Sequence, residues 1–316
     1  MIIYYDSLIE YDWFVNLNNL LKSYDSKLID SKGQNPAIIN DILKYDKADI
    51  YVSDNKKNFL AVEKTSEVPT GHNVGQRMAR LVRAAELGVP FIYFVPFQAR
   101  KHGQYSSICN MNARLYKCLY NMWKIHNSPI FLINWKCDKD GELINDGTED
   151  LEITNITNML VKTSYLGKKK IIDNHMNNLL NLYKLGCVAH KSYAKPPNSV
   201  KIIGTKQFLK KYNNQLNNVH RKELIKKNDT LVYSISMKED SAKRQDPYTG
   251  MQFIYDYLYC RNGKRVENKS KNLILFFPKI TKQWWLANNP NNNKKSSNWY
   301  LTANGLLFND GYIFIR

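Results

Sequence analysis

Two acids have the spacing that chemistry needs. Asp49 opens the run Asp-Ile-Tyr-Val-Ser, and Glu63 closes Asn-Phe-Leu-Ala-Val-Glu. Both runs have the apolar, β-branched and aromatic character of strands, over 48–52 and 58–63. The polar linker 53–57 reads as a turn, so the pair is expected to form a hairpin. Side chains alternate along a strand. Phe59, Ala61, Glu63 and Thr65 therefore share one face, and Leu60, Val62 and Lys64 share the other. In simple register Asp49 and Glu63 lie side by side. Two carboxylates at the edge of an apolar sheet are costly unless a cation neutralises them. A hard divalent ion such as Mg²⁺ is the usual answer, taking carboxylate oxygens, a backbone carbonyl and waters. An ion so placed activates a water and stabilises the charge that develops in phosphodiester hydrolysis.

The elements that must position these acids follow from periodicity. Residues 8–22 carry Leu8, Ile9, Trp13, Phe14, Leu17, Leu20 and Leu21 as a helical stripe. Asn35-Pro36 caps and opens a short helix over 36–44. Pro69–Asn73 is a loop. Val74–Leu87 is a helix with Val74, Met78, Leu81, Val82 and Ala85 on one face, Arg77, Arg80 and Arg83 on another stripe, and Gly88 as its C-cap. Pro90–Phe97 is a buried strand. The order strand, strand, helix, strand predicts an α/β fold, a mixed β-sheet core flanked by helices. Residues 105–126 read as helix, 129–135 as strand, and 151–186 as helices with a basic break at 167–170. Ser192–Ser199 has the composition of a linker. It divides the chain into a core over 1–191, with the hairpin at 48–65, and a mixed α+β C-terminal region over 192–316. In that region a helix opens within 247–260, strands fall at 273–278 and 312–315, and 288–298 is a polar loop.

The acids, their hairpin and the following helix and strand resemble the PD-(D/E)XK nuclease superfamily, and within it a type II restriction endonuclease. The carrying residues are Ala48-Asp49 on one strand and Glu63-Lys64-Thr65 at the end of the next. The resemblance covers about residues 36–97. It implies that Asp49, Glu63 and the Lys64 carbonyl hold Mg²⁺. The family's lysine position is held here by Thr65, and Lys64 stands one residue early. The group that orients the attacking water is expected among Lys64 and Thr65 first, then Gln76, one turn into the helix, then His72. Lys101-His102 lies at the same sheet end.

The charge agrees with such a substrate. Lys and Arg number 46 against 28 Asp and Glu, a net charge of +18. That excess is the footprint of a polyanion partner, because each cation on a phosphate releases counterions; the resemblance implies that this partner is double-stranded DNA. His72, Arg77 and Lys101 near the acids are expected on DNA. The C-terminal region supplies Lys243-Arg244-Gln245 and Arg261-Asn262-Gly263-Lys264-Arg265, whose types read G and A edges. A palindromic site would imply a two-fold homodimer. A catalytically silent nucleic-acid-binding protein and an RNA- or structure-directed nuclease are the alternatives. No P-loop, GxGxxG, HExxH or GxSxG pattern occurs. Five cysteines, an odd number without a CxxC pair, argue for a reducing cytoplasm and against a disulfide framework. No apolar run approaches the ~18 residues of a membrane span. Asp6 and Glu10 break the N-terminal apolar stretch, so it does not read as a signal peptide.

Overall fold

Among the described residues, short segments pair into a six-stranded, a five-stranded and a two-stranded sheet, and buried helices join the two larger ones. The structure is a computed structural model and describes residues 1–30, 32–70, 72–100, 107–162, 167–194, 200–236, 238, 271–288 and 299–315. The elements of the first part are β1 (Ile2–Tyr5), α1 (Leu8–Asn16), α2 (Asn19–Lys22), β2 (Asp25–Leu28) and α3 (Ala37–Ile42). Next come β3 (Ile50–Ser53), β4 (Asn58–Lys64), α4 (His72–Glu86), β5 (Phe91–Val95), β6 (Gln98–Arg100) and β7 (Ile108–Asn110). Then follow α5 (Ala113–His126), β8 (Ile130–Asn134), α6 (Asp150–Val161) and α7 (Lys168–Ala189). The second part holds β9 (Val200–Gly204), α8 (Thr205–Lys211), α9 (Asn218–Leu224), β10 (Asp229–Ser234), β11 (Asn272–Phe277), a helix over Lys282–Ala287, β12 (Gly305–Phe308) and β13 (Gly311–Phe314).

The first sheet has six strands in the order β2-β1-β3-β4-β5-β8. β3 and β4 form the expected antiparallel hairpin, β4, β5 and β8 run parallel, and β1 joins β3 antiparallel. It is thus a mixed sheet flanked by helices. One face carries Leu60, Val62, Ile92 and Phe131 against Phe14 of α1 and Ile153, Ile156 and Leu160 of α6. The other carries Tyr51, Ala61, Phe91 and Tyr93 against α4 and α5. The same buried cluster continues into Leu231, Leu273, Phe277 and Phe308 of the second sheet. That five-stranded sheet has the order β13-β12-β11-β10-β9. Its far face packs Val232, Ile274 and Leu307 on Phe208 and Leu224 of α8 and α9.

Several expectations about elements meet the structure. α4 buries Val74, Met78, Leu81, Val82 and Ala85 as expected, and Gly88 follows it at φ +73, the left-handed C-cap. The stripe over 8–22 breaks into α1 and α2, because the Asn18 side chain accepts the Leu21 amide and starts a new helix. The helix expected from 105 begins only at Ala113, capped by Asn112, after β7. β2 reads Asp-Ser-Lys-Leu and is exposed throughout; backbone pairing with β1, not side-chain burial, makes it a strand. The helix expected within 247–260 lies outside the described residues.

Candidate active site

The hairpin brings the two acids together. Ile50 pairs with Val62 and Tyr51 with Ala61, so the register carried one step further sets Asp49 opposite Glu63. Asp49 precedes the first paired residue. Its carbonyl accepts the Asp6 amide at 2.8 Å, and its Oδ2 accepts the Lys64 amide at 2.6 Å. Among the described residues this amide is the only hydrogen-bond donor to the Asp49 carboxyl. In a strand a residue's N–H and C=O point the same way. The Lys64 carbonyl therefore turns to the Asp49 side of β4.

Glu63 is buried against α4. Arg80 Nη1 donates to its Oε2 at 2.7 Å, and Arg77 Nε stands 3.3 Å from Oε1. Arg80 also grips Asp46 Oδ2, at 3.0 Å from Nε and 2.5 Å from Nη2, and Arg77 reaches Glu67 at 3.2 Å. Three carboxyls, of Glu63, Asp46 and Glu67, thus meet two guanidinium groups, and the Asp49 carboxyl beside them makes four. If all ionise, two negative charges remain, the charge of one divalent ion. Burial and the neighbouring Glu63 push the Asp49 carboxyl up to about 8, against the Lys64 amide and Arg80. Burial likewise pushes the Glu63 carboxyl up, and the two arginines oppose it. The fully buried Tyr51 and Tyr93 phenols are raised by the same burial.

This donor set suits Mg²⁺: two carboxylates and a carbonyl, all oxygen, around a carboxyl under repulsion. Among the described residues no three His, Cys, Asp or Glu side chains form a ready cluster. The carbonyl and waters would complete the shell.

The remaining expected residues separate. Lys64 faces away from Glu63. Its ammonium lies 4.4 Å from the Trp13 ring centre and 5.0 Å from that of Trp135, on the Leu60–Val62 face. This corrects the expectation that its side chain orients water beside the acids: β4 stays regular through Lys64, so alternation sends the ammonium to the other face. Burial among those rings pushes the ammonium's pKa down. Thr65 continues the ladder to Phe94 and is buried, and its hydroxyl accepts the Glu67 amide. The helix α4 begins at His72, but the His72 and Gln76 side chains lie outside the described part. So do Lys101, Lys243, Arg244, Gln245, Arg261, Lys264 and Arg265. Arg77, expected on phosphate, is instead held by Glu63 and Glu67. Arg83 belongs to a separate set, paired with Asp41 and 3.5 Å from Glu86.

Asp46 and Arg80 are the site residues that periodicity misses. Their one signal is an arginine embedded in the buried length of α4. Beyond Thr65, at the carboxyl ends of the strands, a cleft of about 440 Å³ opens beside the loop from β4 to α4. Compared with known proteins, the chain matches no family model, no curated protein and no solved structure.

Proposed function

We propose that this protein is a Mg²⁺-dependent endonuclease of double-stranded DNA, of the type II restriction kind, acting as a cytoplasmic homodimer. The observation that carries the reading is the Asp49 carboxylate clamped on the Lys64 amide directly beside Glu63. Burial first, and Glu63 second, favour the protonated Asp49 carboxyl, and a bound cation would favour its ionised form instead. Asp49, Glu63 and the Lys64 carbonyl would hold Mg²⁺, which when bound supplies water activation and charge stabilisation at phosphorus. Arg80, tied to Asp46, fixes the rotamer of Glu63. Thr65, on the acid face at the strand end, is the hydroxyl proposed to position a water. The net charge of +18 supports a polyanionic substrate. Among the described residues no helix is long and apolar enough to cross a membrane.

A second reading has its own observation. Both Glu63 oxygens already meet guanidinium groups, and Lys64 has its ammonium on the other face. A DNA-binding protein without catalysis accounts for both facts. Cleavage of mixed-sequence phage DNA with Mg²⁺, beside EDTA and Asp49→Ala controls, separates the two. Discrete Mg²⁺-dependent fragments, lost in the variant, are expected. Salt-sensitive binding with no cutting of DNA or RNA would favour the second reading.

A further inference from the structure

The two guanidinium groups on Glu63 grip it unequally. Arg80 donates from Nη1 to Oε2 at 2.7 Å, and its Nε and Nη2 close on Asp46 Oδ2 at 3.0 and 2.5 Å. A planar fork shared between two acids is held in one geometry. Arg77 stands farther off, with Nε 3.3 Å from Oε1. Its hydrogen bond, from Nη1 at 3.2 Å, goes to Glu67 in the segment after β4. The Glu67 side chain is 56% exposed, and a pair with so exposed a partner is screened and readily exchanged. Arg80 is therefore anchored, and Arg77 is the holder that can let go.

The oxygen that Arg77 covers is the one a cation would need. Asp49 stands opposite Glu63 in register, and its Oδ1 has no donor among the described residues. A hard cation on Asp49 and the Lys64 carbonyl would reach Glu63 only through an oxygen free of a guanidinium. Oε2 is locked to Arg80, so that oxygen is Oε1. Two cations on one carboxylate oxygen repel, so Arg77 and a divalent ion compete for it. Arg77 needs an anion in exchange, and a phosphate, which a guanidinium binds through two parallel N–H bonds, is a better one than the exposed Glu67.

Resting on the nuclease reading, we propose that Arg77 is a latch on the metal site, covering Glu63 Oε1 until duplex DNA binds and then leaving it for a backbone phosphate. Phosphate and acid are then two positions of one side chain. Arg77 acts through Glu63 and is a positioning residue. The coupling is reciprocal: DNA strengthens ion binding by the factor by which the ion strengthens DNA binding.

The test follows Arg77 itself. In ¹⁵N NMR of the full chain, its Nε–H resonance is the one lost in Arg77→Lys. Mg²⁺ added without DNA should shift that resonance as the ion binds, and a random-sequence duplex in EDTA should shift it as well. The resonance of Arg80, tied to Asp46, should stay. Mn²⁺ binding, read from the EPR signal of the free ion, should be about tenfold tighter in Arg77→Gln than in the wild type. The salt slope of that variant's DNA binding in EDTA should fall by about one, the loss of one phosphate contact. Glu67→Gln leaves Arg77 to Glu63 alone and should weaken Mn²⁺ binding a few-fold. An Arg77 resonance that stays fixed while Asp49-dependent Mn²⁺ binding saturates overturns the latch and leaves the nuclease reading standing. Equal Mn²⁺ affinity in the wild type and both variants does the same. If Arg77→Gln melts early, the resonance of the wild type and the exposed Glu67→Gln change decide. Wild-type Mn²⁺ binding that Asp49→Asn leaves unchanged overturns both the latch and the metal site.

Discussion

The two sheets share a pattern of pairing and differ in where they bury polarity. In the first, β3 and β4 are antiparallel and β4, β5 and β8 parallel; in the second, β9 and β10 are antiparallel and β10, β11 and β12 parallel. The first sheet buries Glu63 and Thr65 at the carboxyl end of β4, with Asp49 beside them. The second buries Thr205, Thr230 and Asn272, uncharged and at the amino ends of β10 and β11. Those three satisfy one another. The two hydroxyls are 3.0 Å apart, and Asn272 donates to the Leu224 carbonyl at 2.8 Å and to Thr230 at 3.2 Å. The described carboxyl ends of β10, β11 and β12 are Ser234, Phe277 and Phe308, without an acid. Pairing order alone therefore does not make a site. A closed, neutral network stabilises; on the proposed reading, an acid pair with charge left over would take a cation.

The comparison breaks most sharply at the acids. Asp49→Asn and Glu63→Gln should each lower Mg²⁺-dependent cleavage by about 10³-fold or more, the loss expected when charge stabilisation of the transition state goes. DNA binding should survive. Mg²⁺ should raise the melting temperature of the wild type and leave that of Asp49→Asn unmoved. Retained cutting in both variants would remove the site from the first sheet.

At the open edge of that sheet, the neutral imidazole of His175 in α7 accepts the Leu132 amide at 3.0 Å. Burial pushes its pKa down to about 4 from an ordinary 6.5. Below pH 6.5 the unfolded chain gains a proton that folded His175 refuses. Stability is therefore full above pH 6.5 and falls toward pH 4, by about 3 kcal/mol. Urea unfolding across that window should show the slope, and His175→Gln should flatten it. An equal slope in the variant would place the titration elsewhere.

The second sheet should behave in the opposite sense to the acids. Asn272→Leu leaves the Leu224 carbonyl and two hydroxyls short of a donor. It should cost about 2 kcal/mol of stability while cleavage per folded molecule stays intact. Lost cleavage at full stability would mean that the second sheet carries chemistry.

The smallest effect is expected at Lys64→Met. Methionine keeps the contact with Trp13 and Trp135 and loses a cation–π interaction of about 1 kcal/mol. Cleavage should stay within a few-fold. A collapse like that of Asp49→Asn would show that the ammonium reaches the acid face.

Much of the site was legible because strand alternation is a local rule. It assigned Glu63 and Lys64 to opposite faces, and turn composition joined the strands of Asp49 and Glu63 into a hairpin. The apolar spacing of Val74, Met78, Leu81, Val82 and Ala85 likewise marked the buried face of α4, and Gly88 its end. These signals act over a few residues, where backbone geometry leaves little choice. Tertiary structure decided the rest. β2 has no apolar signal, because it is a strand only by borrowing hydrogen bonds from β1. Arg77 and Arg80 looked like a solvent or phosphate stripe, and their direction depends on which acids the neighbouring strand and loop present. Asp46 lies 34 residues from Arg80 in sequence and meets it only when α4 crosses the sheet. The cleft beyond Thr65 likewise exists only once β6, β7 and the turn at 141–145 close around the loop after β4. Charge compensation and cavities are properties of groups brought together from far apart, and no local period encodes them.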